Sequence, residues 1–186
     1  QNVQVIRLDD PTGKRDVPLR ERTDKANKAK ADILISLHHN AYTGKWGNHT
    51  GTETYHYPTS SNGKKLARAI HPVVVKAYGL RDRGIKSANF HMLRESKMPA
   101  ILIEGGFMDS NIDIKKLRDD KVLEQTGKNI ADAVAKYFKL KKKPKPKPKT
   151  GKLYKVQIGA FSNKKNAEAQ AAKAKKAGFD VYIVHE

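Results

Sequence analysis

Two short apolar runs constrain the fold of this chain more than any other feature. Residues 33–37 read Ile-Leu-Ile-Ser-Leu and residues 100–103 read Ala-Ile-Leu-Ile. Such runs are typical of strands that are covered by helices on both faces. The first run leads into His38 and the second into Glu104. Because open α/β sheets carry their chemistry beyond the carboxyl ends of the strands, we expect these two side chains to meet at one edge of a sheet.

Strand and helix patterns alternate along the first part of the chain. Residues 51–57 alternate as a strand does, whereas residues 61–78 place apolar side chains along one helical face. This alternation indicates an α/β fold, and we predict a three-layer sandwich with a mixed, mostly parallel central sheet flanked by helices. Strands are predicted at residues 3–8, 33–37, 51–57 and 100–103, and helices after Asp16 and at residues 61–78, 109–119 and 122–138.

A lysine- and proline-rich run divides the chain. Residues 141–149 read Lys-Lys-Lys-Pro-Lys-Pro-Lys-Pro-Lys, which cannot bury a core and is typical of an extended spacer. Beyond it, two strand patterns at residues 154–161 and 181–184 flank an alanine-rich helix and predict a small βαβ C-terminal module. The predicted organisation is a first domain at residues 1–139, a linker at 140–151 and a second unit at 152–186.

Composition limits the partners and the metal chemistry. The net charge is +19, from 38 Lys+Arg against 19 Asp+Glu, which favours a polyanionic partner such as nucleic acid, a membrane face or a cell-wall polymer. The lysines are not interleaved with aromatic residues, so we expect no nucleic-acid partner. We expect no membrane span either, because no apolar run is long enough. Since cysteine is absent, a metal would have to use His, Asp and Glu.

His38 and His39 are the first candidates for a functional site. Neighbouring residues on a strand point to opposite faces, so we expect only one of the two to bind a metal. On the residues alone, a structural role and a metal-binding role for this pair are equally open. Nothing in the sequence fixes the oligomeric state.

Glu104 is the second candidate, as a catalytic residue. Burial at the end of a strand would raise its carboxyl pKa, which suits a general base. Gly105 follows it and would give a substrate close access to the backbone. Asn40 and His91 are further candidates for substrate contact, since they lie in segments expected near the same edge. The remaining histidines have structural roles in this interpretation, with His49 as a weaker candidate for contact.

Four separate words of the sequence resemble one family in order and spacing. They are Ser36-Leu-His-His-Asn-Ala41, Gly51-Thr-Glu-Thr-Tyr55, Arg83-Gly-Ile-Lys86 and Met98-Pro-Ala-Ile-Leu-Ile-Glu-Gly-Gly-Phe107. Over residues 3–138 the chain resembles the zinc-dependent N-acetylmuramoyl-L-alanine amidases of the Amidase_3 type. The resemblance implies a peptidoglycan hydrolase that cleaves the amide between N-acetylmuramic acid and the L-alanine of the stem peptide.

The same resemblance implies roles for single residues. His38 corresponds to a ligand of the Zn²⁺ cofactor, and Glu104 to the general base that takes a proton from zinc-activated water. The family carries two further zinc ligands on an early strand ending in Gly-His-Gly-Gly and on a glutamate after it. We therefore expect the first domain to lack its first strand and helix, and the chain to be truncated at this end.

The C-terminal unit resembles part of a SPOR domain. The words that carry this resemblance are Tyr154-Lys-Val-Gln-Ile-Gly-Ala-Phe-Ser-Asn163 and Gly178-Phe-Asp-Val-Tyr182. Such domains bind peptidoglycan and favour glycan strands that have lost their stem peptides. A second βαβ half would follow in that family, so we expect a truncation at this end as well.

Two hypotheses follow from the sequence. The first is an extracellular, wall-associated amidase, either an autolysin or a phage endolysin, that binds glycan strands through its C-terminal module. The second is a cell-wall-binding protein without catalysis, in which the metal site is incomplete.

Overall fold

The computed structural model describes residues 3–141 and 157–184 and divides the chain into two compact units, Gln1–Lys143 and Pro144–Glu186. In the first unit a four-stranded sheet has the order β1-β4-β2-β3. Its strands are β1 (Leu34–Asn40), β2 (Thr52–His56), β3 (Asp82–Ser87) and β4 (Ala100–Phe107). The pairs β1–β4 and β2–β3 are parallel and β2–β4 is antiparallel, so the predicted mixed, mostly parallel sheet is confirmed.

Helices cover both faces of this sheet. They are α1 (Leu19–Lys28), α2 (Ser61–Tyr78), α3 (His91–Arg94), α4 (Ile114–Leu117) and α5 (Asp120–Tyr137). On one face, a core cluster joins Ala26 of α1 and Met92 and Leu93 of α3 to Leu34 and Leu102. On the other face α2 packs against the sheet, and α5 packs against α2. The three-layer α/β sandwich is therefore present.

Helix α2 illustrates how the sequence specifies one of these layers. Leu66, Ile70 and Val74 recur at intervals of four residues and are fully buried against Ile101 and Ile103 of β4. The hydroxyl of Ser60 accepts a hydrogen bond from the backbone N–H of Gly63 and caps the start of the helix. Gly79 ends it in the left-handed conformation, with φ of 63°.

Several features of the first unit differ from the prediction, among them β4, which continues to Phe107, and α4, which is shorter than the helix predicted at residues 109–119. Residues 3–8 form no strand, because they pair with no neighbour, and Val5 is 87% exposed. Strand β1 continues past its apolar residues and includes His38, His39 and Asn40. The polar end of this segment is thus held in the sheet by pairing with β4, which local composition does not reveal.

The second unit contains the predicted helix, as α6 (Lys164–Lys176), but not the predicted strands. Residues 157–161 and 181–184 have no strand structure, and among the described residues of this unit no backbone hydrogen bonds join two extended segments. A strand needs such a partner. The described residues 157–161 and 181–184 are therefore not strands, whereas residues 142–151 of the linker and 154–156 of the first predicted strand lie outside the described part.

The helices of the described residues give no membrane-spanning segment. None of them combines the length and the low polarity that a bilayer crossing requires.

The ring of Tyr78, the last residue of α2, packs directly against the backbone of β4. A Cβ atom placed on Gly105 would lie 2.8 Å from two atoms of this ring, its Cζ and its hydroxyl oxygen, well inside normal contact distance. Tyr78 is itself buried, so it has little room to move away. Gly105 therefore serves the packing of α2 on the sheet.

We expect Gly105→Ala to lower the free energy of unfolding by about 1–3 kcal/mol, the usual cost of overpacking a buried site. Gly127→Ala is the matched control, because a Cβ on Gly127 in α5 would meet no atom within 4 Å. That control should be neutral or slightly stabilising. Urea unfolding followed by circular dichroism measures both, and equal midpoints for the two variants would contradict the packing argument.

Candidate active site

His38 and Glu104 are register partners on the adjacent parallel strands β1 and β4. Register partners in neighbouring strands lie about 4.8 Å apart and project their side chains to the same face of the sheet. This face is the one that carries α1 and α3, since Leu34 and Leu102 point to it from the same two strands. The structure thus brings together the two residues that the sequence singled out, in the carboxyl-terminal half of both strands.

The carboxyl group of Glu104 is half-buried and incompletely paired. Its Oε2 atom is buried and has no hydrogen-bond partner among the described residues. Burial, and then the negative charge of Glu53, raise the pKa of Glu104 to about 7. A carboxyl group with such a pKa can both accept and return a proton near neutral pH, which is the property required of a general base and acid.

His38 has the character of a neutral imidazole. Its Nε2 atom lies 2.7 Å from the hydroxyl oxygen of Ser36, two residues earlier on the same face of β1. Burial, and then the positive charge of Arg22, lower the pKa of His38 below its ordinary value. Since metals bind the neutral form of histidine, these surroundings favour the form that a ligand needs.

His39 lies on the other face of the sheet. Its ring makes an edge contact with Tyr78, at 6.4 Å between centroids and an interplanar angle of 87°. Because β1 continues through both histidines, their imidazoles diverge, as the alternation of a strand requires. The structure therefore does not bring His39 together with Glu104.

Glu53 is the site residue that sequence reasoning missed. It is the register partner of Glu104 across the antiparallel pair β2–β4, and it is only 2% exposed. Its carboxylate accepts hydrogen bonds from four side chains: Asn40 Nδ2 at 2.9 Å, Tyr55 hydroxyl at 2.7 Å, Arg83 Nε at 2.9 Å, and Lys86 Nζ. These groups, named here with Glu53 as the Glu53 network, surround a second buried carboxylate beside Glu104.

Glu53 remains ionised in this environment. Burial acts to raise its pKa, but the hydrogen bonds from Lys86, Arg83 and Tyr55 outweigh burial and hold the pKa below the ordinary value. The signal in the sequence was the presence of two basic residues, at positions 83 and 86, in a segment outside the strands predicted above. Only the pairing of β2 with β3 shows that they meet Glu53.

The remaining predicted substrate contacts lie in different places. Asn40 joins the site through its hydrogen bond to Glu53. Gly105 is buried and faces Tyr78 on the opposite side of the sheet. His91 begins α3, where its Nε2 lies 3.3 Å from the hydroxyl of Thr23 in α1. His49 is hydrogen-bonded to Asp109, at 2.8 Å.

The described residues do not complete a zinc site. Among them, no group of three or more His, Cys, Asp or Glu side chains converges closely enough to hold a metal ion. His38 and Glu104 supply one imidazole and one carboxylate, whereas a catalytic zinc uses three protein ligands and an open position.

Comparison with known proteins places this geometry in a family. A family model described as N-acetylmuramoyl-L-alanine amidase matches residues 1–136, and one described as SPOR domain matches residues 128–186, beginning within α5. The chain is 40% identical over 188 residues to the N-acetylmuramoyl-L-alanine amidase CwlM of Bacillus licheniformis, covering 100% of this chain and 68% of that protein.

A second relative is the sporulation-specific N-acetylmuramoyl-L-alanine amidase of Bacillus subtilis, which is 40% identical over 169 residues. That alignment covers 90% of this chain and 62% of the relative, so the chain spans about two thirds of the length of these proteins.

Solved structures give the same result. The catalytic domain of the amidase CwlV from Bacillus (Paenibacillus) polymyxa var. colistinus superposes with a TM-score of 0.62 at 34% identity, covering 67% of each chain. An N-acetylmuramoyl-L-alanine amidase from Clostridium difficile 630 has a TM-score of 0.62 at 38% identity, covering 68% of each chain. The predicted family, fold and enzyme class are confirmed, and the chain belongs to the N-acetylmuramoyl-L-alanine amidases, which hydrolyse peptidoglycan.

Proposed function

We propose that this chain itself hydrolyses the amide between N-acetylmuramic acid and the L-alanine of the stem peptide, with Glu104 as the general base. The observation that carries the proposal is the buried, unpartnered Oε2 of Glu104, next to its register partner His38. An unpaired buried oxygen costs free energy unless a bound group satisfies it. In a chain of this family, the attacking water is the natural group to do so.

The reaction can be written with Glu104 as the only proton carrier. The ionised carboxylate takes a proton from water as the water oxygen attacks the carbonyl carbon of the lactyl amide. The protonated Glu104 then gives this proton to the nitrogen of L-alanine as the C–N bond breaks. The products are a lactyl carboxylic acid and a free amine, and a pKa near 7 suits both transfers.

The Glu53 network supports this role in two ways. The fixed negative charge of Glu53 disfavours ionisation of Glu104, and is the second cause of its raised pKa after burial. Arg83, through Nε, and Lys86, through Nζ, donate hydrogen bonds to Glu53 and hold it ionised. Glu53 therefore tunes the pKa of Glu104, and its own carboxylate is 2% exposed and already hydrogen-bonded.

Zinc dependence and the role of His38 as a ligand remain part of the proposal. When bound, zinc would polarise a carbonyl group and lower the pKa of a water molecule. The neutral imidazole of His38 suits such an ion, but one histidine and one glutamate are too few to hold it alone.

The second hypothesis, a wall-binding protein without catalysis, is favoured by this shortage of metal ligands among the described residues. The two functions share a partner, since the SPOR domain is a peptidoglycan-binding domain and the amidase acts on the same polymer. Both imply action at the cell wall, and we propose an extracellular location. Release of new amino groups from purified cell wall separates the two functions.

We expect Glu104→Gln to lower the rate of amine release about a hundredfold to ten-thousandfold, the usual contribution of a general base. The substitution preserves shape, so co-sedimentation with purified wall should remain unchanged. A variant that retains full activity would exclude Glu104 as the base. A variant that no longer binds the wall would show that Glu104 acts in binding instead.

For the metal, we expect His38→Ala to reduce zinc uptake more than about tenfold, since a ligand is lost. His39→Ala is the matched control, because that ring points to the other face and contacts Tyr78. Zinc content after equilibrium dialysis, measured by atomic emission, gives the comparison. Zinc uptake by the parent chain together with equal zinc content in the two variants would overturn the assignment of His38.

Glu104 also makes stability depend on pH. Its pKa is about 7 in the folded chain and 4.5 ordinarily, so the folded state binds more protons between these values. Its contribution to the free energy of unfolding is therefore present below about pH 4.5 and is lost as pH rises through about 7. Relative to the parent chain, Glu104→Gln should gain stability between about pH 5 and about pH 8. Urea midpoints in the presence of a chelator test this, and a difference independent of pH would contradict it.

A further inference from the structure

The loop that follows β1 exposes two large aromatic rings. This loop, residues 41–50, is called the aromatic loop here. Tyr42 is 72% exposed and Trp46 is 61% exposed, and Trp46 is the only tryptophan of the chain. Met108 and Ile112, on the segment that follows β4, are exposed as well. Exposed apolar groups gathered at one place mark binding surfaces more often than isolated ones do.

The first half of the aromatic loop is fixed by one buried carboxylate. Asp109 accepts hydrogen bonds from the backbone N–H groups of Tyr42, Thr43 and Gly44, at 2.9–3.1 Å. The ring of His49 adds a further contact to the same carboxylate at 2.8 Å. The backbone that carries Tyr42 is therefore held by several bonds to a single side chain.

The second half is fixed by the backbone and by another buried carboxylate. The N–H of Gly47, next to Trp46, donates to the carbonyl of Asp109 at 3.1 Å, and the carbonyl of Gly47 accepts from Asn111 at 2.9 Å. Asp113, fully buried, accepts from the hydroxyl of Thr50 and from the N–H that follows it. The backbone that carries the exposed rings is thus preorganised, so binding would not incur the entropic cost of ordering this loop.

The aromatic loop borders the edge of the sheet that carries the candidate active site. It begins immediately after Asn40, whose carbonyl accepts a hydrogen bond from the N–H of Met108 at 2.7 Å. Rings also connect the two regions: Tyr42 lies 5.3 Å from His49, and His49 lies 5.1 Å from Phe107. The guanidinium of Arg83, part of the Glu53 network, lies 5.1 Å from the Phe107 ring.

We propose that Tyr42 and Trp46 form a platform on which pyranose rings of the peptidoglycan glycan strand stack, next to the bond that is cleaved. The inference rests on the proposed function for the identity of the polymer. A pyranose presents several C–H groups on one face, which complement the negative face of an aromatic ring. A glycan strand repeats such faces, so it can contact two rings held on one rigid loop, whereas a short, charged stem peptide offers no such repeat.

The sole tryptophan gives a direct test that does not depend on catalysis. The probe is a tetrasaccharide of alternating N-acetylglucosamine and N-acetylmuramic acid without stem peptides, added to the full chain. We expect a saturable change in tryptophan emission. Trp46 lies in the first unit, so its emission reports on the surroundings of the aromatic loop. No change in emission up to millimolar probe would overturn the platform.

Variants of Tyr42 sharpen the test, since Trp46 still reports on binding. Tyr42→Ala should weaken the tetrasaccharide about fivefold to tenfold, as expected for loss of one aromatic contact, and Tyr42→Phe should keep the affinity. Phe138→Ala is the matched control, because Phe138 is also an exposed aromatic, 39% exposed, but lies at the end of α5. An equal affinity for Tyr42→Ala and Phe138→Ala would exclude Tyr42 from the platform.

Other occupants of the surface give different results. A response to a free stem peptide and none to the tetrasaccharide would assign the loop to the peptide and overturn the inference. Emission that depends on protein concentration alone would assign it to a second copy of the chain, with the same consequence. If the tetrasaccharide binds but purified wall releases no amines, the proposed function fails while the platform stands. If amines are released and the tetrasaccharide gives no response, the platform is excluded while the proposed function stands.

Discussion

The pairing of β4 with a parallel neighbour on one side and an antiparallel neighbour on the other determines the chemistry of this chain. It sets Glu104 directly between His38 and Glu53, so that one half-buried carboxyl has an imidazole on one flank and a charged carboxylate on the other. After burial, the charge of Glu53 is the second cause of the raised pKa of Glu104, and this register places the two carboxyl groups side by side. The charge of Glu53 is tolerated only because four donors satisfy it, and these donors come from three different segments. The site is thus formed by residues from all four strands of the sheet.

Much of this arrangement was predictable from the sequence. Apolar runs that end in polar residues predicted strands β1 and β4. Because functional residues of open α/β sheets lie towards the carboxyl ends of the strands, the sequence also predicted that His38 and Glu104 would lie close together, as they do. The alternation of a strand separated His38 from His39 correctly. The register itself was not predictable, because two nearly uniform apolar strands can pair in several ways without any local signal.

The parts that failed depend on contacts between segments distant in sequence. Residues 3–8 have the alternation of a strand, and residues 157–161 and 181–184 were predicted as strands, but none of these segments pairs with another segment that the structure describes. Glu53 was not predicted as a site residue because its role depends on ion pairs with Arg83 and Lys86, which are thirty or more positions away along the chain. Asp109 and Asp113, the carboxylates that hold the aromatic loop, were not predicted either, because the groups they bind are also distant in sequence. Local sequence indicates which secondary structure a segment favours, whereas the role of the segment depends on the residues that it contacts in the fold.

The contact of Tyr78 with Gly105 has a consequence for how reliably the site assembles. A slip of β4 by two residues would leave every side chain on its own face, so burial alone gives little discrimination against it. Such a slip would bring Ile103 or Phe107 to the position of Gly105, and either side chain would collide with a ring that already touches a glycine. Tyr78 lies on the face of the sheet opposite Glu104, and its ring therefore restricts which residue of β4 can occupy the position of Gly105. The contact thus disfavours these two misaligned pairings and favours the register in which Glu104 lies opposite His38.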